Sequence, residues 1–357
     1  MTVDTRPAVP NLEGLALTVR GPVDPALLGP ALMHEHVVID IRRPAHNPRP
    51  GWDQPEAKQP LTLDNLFRVR NGGTIEDNDL LVDHDMMLAA VNDFAHAGGG
   101  TIVEVSSIGL GRDPRALHRL SVASGLHVVM GAGWYEPNFH PVDMDDRTVD
   151  DLAEEIVRDV VEGVAGTGIR SGIIGEVGVE GNPLRPNEIK SAQASARASA
   201  RTGAPISFHV GGYREEKFEV LDLVADEGVD LSNVVMGHSG ALIGDLPFAR
   251  RVLERGVFVE FDYLGAPGSP GGTLGVNTDR VVAEGIAELV ADGHEDRIVL
   301  AHDVCTKLQL KPYGGTGYDY ISRYFLPVLR ELGVSEEAVH KIMVANPARA
   351  LAFHAPR

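Results

Sequence analysis

Cysteine is nearly absent. Cys305 is the only one in 357 residues, which excludes a disulfide framework. Long apolar runs are missing too. No stretch reaches the roughly 18 uninterrupted apolar residues of a membrane span, and Met1 to Pro10 lack the apolar core of a secretory signal. The expectation is a cytoplasmic protein with no membrane partner. Positive charge is also short. Lys and Arg number 32 against 51 Asp and Glu, a net charge of −19. Such a field repels phosphate backbones and anionic lipid surfaces, which argues against a nucleic-acid partner and for a small-molecule one. Lysine is scarcest: Lys58, Lys190, Lys217, Lys307, Lys311 and Lys341 are all there are.

What is present is ordinary globular material, 43% hydrophobic and 23% charged. Short apolar, β-branched runs alternate with segments of helical periodicity. The runs fall at 32–39, 101–105, 127–132, 172–177, 205–210, 233–236, 257–261 and 297–301. Helical patterns lie near 83–97, 114–124, 148–165, 187–202, 215–227, 245–255, 278–292 and 318–331, with a last one near 336–346. Asp113-Pro114, Arg185-Pro186-Asn187 and Ser335-Glu336-Glu337 read as helix starts. Buried strand runs alternating with helices predict an α/β fold, a closed (β/α)8 TIM barrel forming one domain over 1–357. An open doubly wound sheet lacks support, because no G-x-G-x-x-G follows the first strand. Residues 41–80 are rich in Pro, Asn and Gly. A loop of that length after the first strand is expected over the active face, or against a neighbouring subunit. The run from Gly265 to Gly272 reads as a flexible loop on the same face, since it lacks the order of a phosphate-binding loop.

Chemistry gathers where apolar strands run out. His34 and His36 lie two apart, so they share one face of the first strand. Glu176 ends the fourth run, His209 the fifth, His238 the sixth and Asp303 the eighth. Barrel enzymes place their chemistry at these ends. Four imidazoles and two carboxylates exceed the needs of one tetrahedral zinc and suit two divalent ions. In that arrangement His34, His36 and Asp303 hold the buried ion, His209 and His238 the more exposed one, and Glu176 bridges. Zn is expected, with Mn, Co or Fe also compatible. A bridging hydroxide would attack a carbonyl carbon, and Asp303 would take its proton. His302 should face away from the ions. The remaining histidines, His46 among them, have no strand-end context and read as surface or core. Cys305 reads as a packed small residue.

The spacing resembles the phosphotriesterase family of the amidohydrolase superfamily. The resemblance runs from Thr18-Val19-Arg20-Gly21-Pro22-Val23 through Met33-His34-Glu35-His36 to Asn346-Pro347. In that family the strand-four ligand is a carboxylated lysine in some branches and a glutamate in others. No lysine lies on strand four here, so Glu176 implies the glutamate branch. The segments 301–307 and 311–318 look like the phosphotriesterase-related proteins in particular. The resemblance implies a homodimer, and it places Tyr135 where lactonases of the family contact the substrate carbonyl. Two departures follow. Asp262-Tyr263-Leu264-Gly265 lacks the arginine those lactonases carry, and Gly240 stands where phosphotriesterases use an acid. The expected activity is hydrolysis of a lactone, carboxylic ester or amide; phosphoester or phosphotriester hydrolysis, or a barrel that binds without turnover, are the alternatives. Lys307 and Lys311, on one loop after the eighth strand, are expected to bind an anionic group of the substrate.

Overall fold

The computed structural model describes residues 9–44, 47–265 and 278–357. His46 and most of the glycine-rich run, from 266 onward, lie outside them. Eight strands form one parallel sheet in sequential order: β1 (Ala31–Glu35), β2 (Thr101–Glu104), β3 (His127–Ala132), β4 (Ile173–Gly178), β5 (Ile206–His209), β6 (Val234–Met236), β7 (Phe258–Phe261) and β8 (Ile298–Leu300). The chain after β8 returns to β1. Asp303 N–H donates to the His34 carbonyl at 3.1 Å and His36 N–H to that of Val304 at 3.2 Å. The result is a nearly closed barrel with helices outside.

Seven helices follow strands β1 to β7: α1 (His84–His96), α2 (Pro114–Ser124), α3 (Val149–Val161), α4 (Pro186–Thr202), α5 (Glu216–Asp226), α6 (Leu246–Leu253) and α7 (Asp279–Ala291). After β8 a π turn at Ile321–Phe325 runs into a helix at Leu326–Glu331. Local chemistry sets these boundaries. The Asp113 carboxylate accepts from Arg115 N–H and Ala116 N–H at 2.9 and 3.0 Å, with Pro114 at the first helical position. Gly125, at φ +79°, ends α2. Thr148 and Asp151 cap α3 reciprocally.

Two apolar layers result. Met33, Val103, Val129, Ile173, Val235, Phe258 and Val299 form one buried cluster, drawn from alternating strand positions. The opposite strand positions, such as Leu32, Ile102 and Ile206, belong to the larger cluster shared with the helices. A hairpin at Ala16–Thr18 and Gly21–Val23 precedes the barrel. Residues 47–80 carry a small core of their own, Leu61, Leu66 and Ile75 packed with Leu308 and Tyr313 after β8. No helix among the described residues is long and apolar enough to cross a membrane.

Candidate metal centre

The strands end irregularly where the chemistry sits. The register of β1 against β2 shifts between Leu32 and Glu35, and that of β4 against β5 between Ile174 and Val177. Such shifts re-aim side chains at a barrel rim. Of the six non-glycine residues with positive φ among the described residues, Val210, His238, Tyr263 and Asp303 follow β5 to β8. Each costs about 1–3 kcal/mol, and a β-branched valine there is a genuine outlier. Gly237 is required for close approach: a Cβ would strike the Phe208 carbonyl and lie 3.3 Å from His34 Nδ1.

Glu176 lies at the centre. Its carboxylate is 3.0 Å from His34 Nε2, 3.3 Å from His36 Nε2 and 2.8 Å from His209 Nδ1. His36 Nε2 is also 3.2 Å from Asp303 Oδ1. His209 Nδ1 and His238 Nε2 face each other at 2.7 Å. The structure thus brings His34, His36, Glu176, His209, His238 and Asp303 together, all buried. Two sets of ligand atoms, His34–His36–Glu176 and Glu176–His209–His238, each fall within 4.8 Å. Glu176 belongs to both. Nitrogen and carboxylate donors converging on shared points, in a buried setting, fit divalent ions.

The outward ring nitrogens are held as well. His34 Nδ1 meets Glu260 Oε2 at 3.0 Å, and His238 Nδ1 lies 2.9 Å from Asp262 Oδ1. His36 Nδ1 meets Ser106 Oγ at 3.0 Å, and Ser106 donates to Glu104 at 2.5 Å. His209 Nε2 meets Glu180 Oε1 at 3.0 Å and stands 3.5 Å from the Tyr135 hydroxyl. Fixing one nitrogen aims the other inward. Sequence reading missed Glu104, Glu180 and Glu260 and gave Asp262 no role. The usable signal was a carboxylate inside an apolar strand, as in Thr101–Glu104 and Phe258–Phe261.

Burial and charge work against each other here. Burial alone would raise the Glu176 carboxyl, but His209 and His34 hold it well below the usual range. Burial disfavours protonated imidazoles, yet Asp303 and Glu176 raise His36 to about 9, and Glu176 and Glu180 raise His209 to about 10. Burial pushes Glu104 up to about 7 and the Tyr135 phenol well above its ordinary value.

A cavity of about 110 Å³ opens above the cluster, lined by His36, Glu176, His209, Asp303 and Tyr135 among others. Cys305 lies on its wall, its thiol pushed up by burial. His302 points away, with Nδ1 2.8 Å from Glu35. The structure does not bring Lys307 and Lys311 to this cavity. Lys307 pairs with Asp77 at 2.6 Å, and Lys311 with Asp319 and Asp93 at 2.6 and 2.9 Å. Both are committed to carboxylates that surround them. Ile41, Arg43 and Arg49 line the cavity wall.

Residues 15–351 match the model of the phosphotriesterase family. An N-acetyltaurine hydrolase from Tetraodon nigroviridis is 34% identical over 96% of this chain and 99% of its own. A resiniferatoxin-binding protein from Rhodobacter sphaeroides superposes with a TM-score of 0.86 at 38% identity, over 95% of each chain. A lactonase from Listeria monocytogenes gives 0.78 at 26% identity, over 96% of this chain and 100% of that one. The barrel, the cluster at its strand ends and these matches over nearly the whole chain agree: the chain is a hydrolase belonging to the phosphotriesterase family.

Proposed function

We propose that the chain cleaves a small N-acyl amide at a two-ion centre, with lactones and carboxylic esters as poorer substrates. The carrying observation is that Glu176 belongs to both imidazole sets. His34, His36 and Asp303 would hold one ion and His209 and His238 the other, zinc being our first choice. Divalent ions held there would lower the pKa of water toward about 7 and polarise a carbonyl oxygen.

The protein's own groups do the rest. Asp303, held ionised by His36 and other imidazoles against the burial that would raise it, accepts the proton of the attacking water. It then returns that proton to the departing nitrogen. Tyr135 stays a neutral phenol, because burial and nearby carboxylates oppose its ionisation. It can therefore donate to the carbonyl oxygen as charge develops there. Residues 41–80 cover the mouth of a one-domain barrel. We place this activity in the cytoplasm, on a homodimer.

The preference for an amide over a phosphotriester rests on the relatives named N-acetyltaurine hydrolase. The test is a panel of N-acetyltaurine, a γ-lactone and a neutral phosphotriester, assayed on zinc-reconstituted protein. Release of free amine with the highest kcat/KM supports the proposal. Faster cleavage of the phosphotriester, or no amide cleavage, sinks it.

A further inference from the structure

We infer that Arg43, with Arg49 beside it, forms an anion subsite that selects substrates carrying a compact sulfonate or carboxylate on the leaving-group side. The inference rests on the reading above, that a carbonyl compound is cleaved at the Glu176 cluster.

The geometry begins with two adjoining spaces. The inner cavity over Glu176 holds about 110 Å³. A second cavity of about 310 Å³, lined by Arg42, Arg43, Pro48, Arg49 and Trp52 among others, shares Arg43 and Arg49 with it. The two arginines are therefore the rim between them. Small-molecule sites usually span about 300–1,000 Å³. The inner space accommodates the reacting carbonyl and a short acyl group, and the leaving group must pass the rim outward.

The charges around the rim are unequally satisfied. Asp40 pairs with Arg42 at 2.7 Å, Glu76 with Lys58 and Asp79 with Arg49 at 2.9 Å. Each acid of the outer cavity therefore has a cation. Arg43 has no hydrogen-bonded or ionic partner among the described residues, although it is half-buried and borders both spaces. A guanidinium offers five N–H donors in a fixed fork suited to oxyanions. In a chain of net charge −19, Arg42, Lys58, Lys307 and Lys311 around this face are each already paired with a carboxylate. Arg49 holds Asp79 through one terminal nitrogen, which leaves donors free on the same rim.

The test compares wild type with Arg43→Gln, both zinc-reconstituted, on three acetyl amides of similar size: N-acetyl-2-aminoethanesulfonate, N-acetyl-β-alanine and the neutral N-acetylethanolamine. The subsite predicts that the preference for anionic over neutral substrate falls about tenfold or more in the variant, the loss lying in KM. Arg43→Lys should recover part of it. Equal losses on all three substrates, or no loss, overturn the inference. Binding is read separately by calorimetric titration with propane-1-sulfonate, which needs no turnover. About tenfold weaker binding to Arg43→Gln supports the subsite even if no amide is cleaved and the proposed reaction fails. Equal affinity means that the anion sits at the ions alone, and the inference falls.

Discussion

Each imidazole of the centre has two jobs for two nitrogens. One faces the shared carboxylate of Glu176 or its opposite histidine, and the other is held by Glu260, Ser106, Asp262 or Glu180. Glu260→Gln keeps the volume but removes the charge behind His34. It is expected to weaken metal binding about 10–100-fold, read by competition with a chelator, while the circular dichroism spectrum is unchanged. That His34, His36, Glu176, His209, His238 and Asp303 would meet was legible in the sequence, because each is a polar residue at the end of an apolar run. Their outer partners were less so. Glu104 and Glu260 sit inside short strands, where a carboxylate is as easily read as an interruption. Arg43 and Arg49 were illegible: nothing in a proline-rich loop says which way a guanidinium points. The two loop lysines, chosen for their position after β8, turned out to be spoken for by Asp77, Asp93 and Asp319.

At the level of elements, the loops after the strands carry the strain and must be held. Gln309 is a clear example. Its Nε2 donates to the Asp303 carbonyl at 2.6 Å, and its Oε1 accepts from the N–H groups of Cys305 and Thr306 at 2.9 and 3.0 Å. It fixes the backbone of Asp303, held at φ +52°. Gln309→Ala should cost about 1–3 kcal/mol in denaturant unfolding and lower zinc affinity together with stability. Loss of stability with unchanged zinc affinity would deny it the positioning role. Residues 41–80 are anchored to the same loop, through Lys307–Asp77 and the Leu308 N–H to Asn78 at 3.0 Å. Strands and most helices were readable from periodicity and caps to within a few residues. The short hairpin before β1 was not, since three-residue strands carry too little pattern, and neither was the π turn at Ile321–Phe325.

At the level of the whole molecule, the metal-free centre is a buried cluster in which carboxylates favour protonation of His36 and His209. His36 and His209 titrate near 9 and 10, above the roughly 6.5 of an unfolded histidine. Groups raised in this way stabilise the fold fully below the unfolded value, and the gain is lost as pH climbs through the folded one. Metal-free protein should therefore lose stability from about pH 6.5 to about 10. Metal binding must displace those protons, so the stabilisation gained on adding zinc should grow over the same range. Parallel thermal unfolding scans with and without zinc check both signs. A metal-free protein whose stability rises with pH across that window would contradict the assigned pairings. The most direct test of the central claim is the zinc content of reconstituted wild type and Glu176→Ala, measured by mass spectrometry of the dialysed proteins. A shared Glu176 predicts about two ions per chain in the wild type and at most about one in the variant, with activity lost in step. Two ions retained in Glu176→Ala, or a fully active wild type holding a single ion, would contradict it.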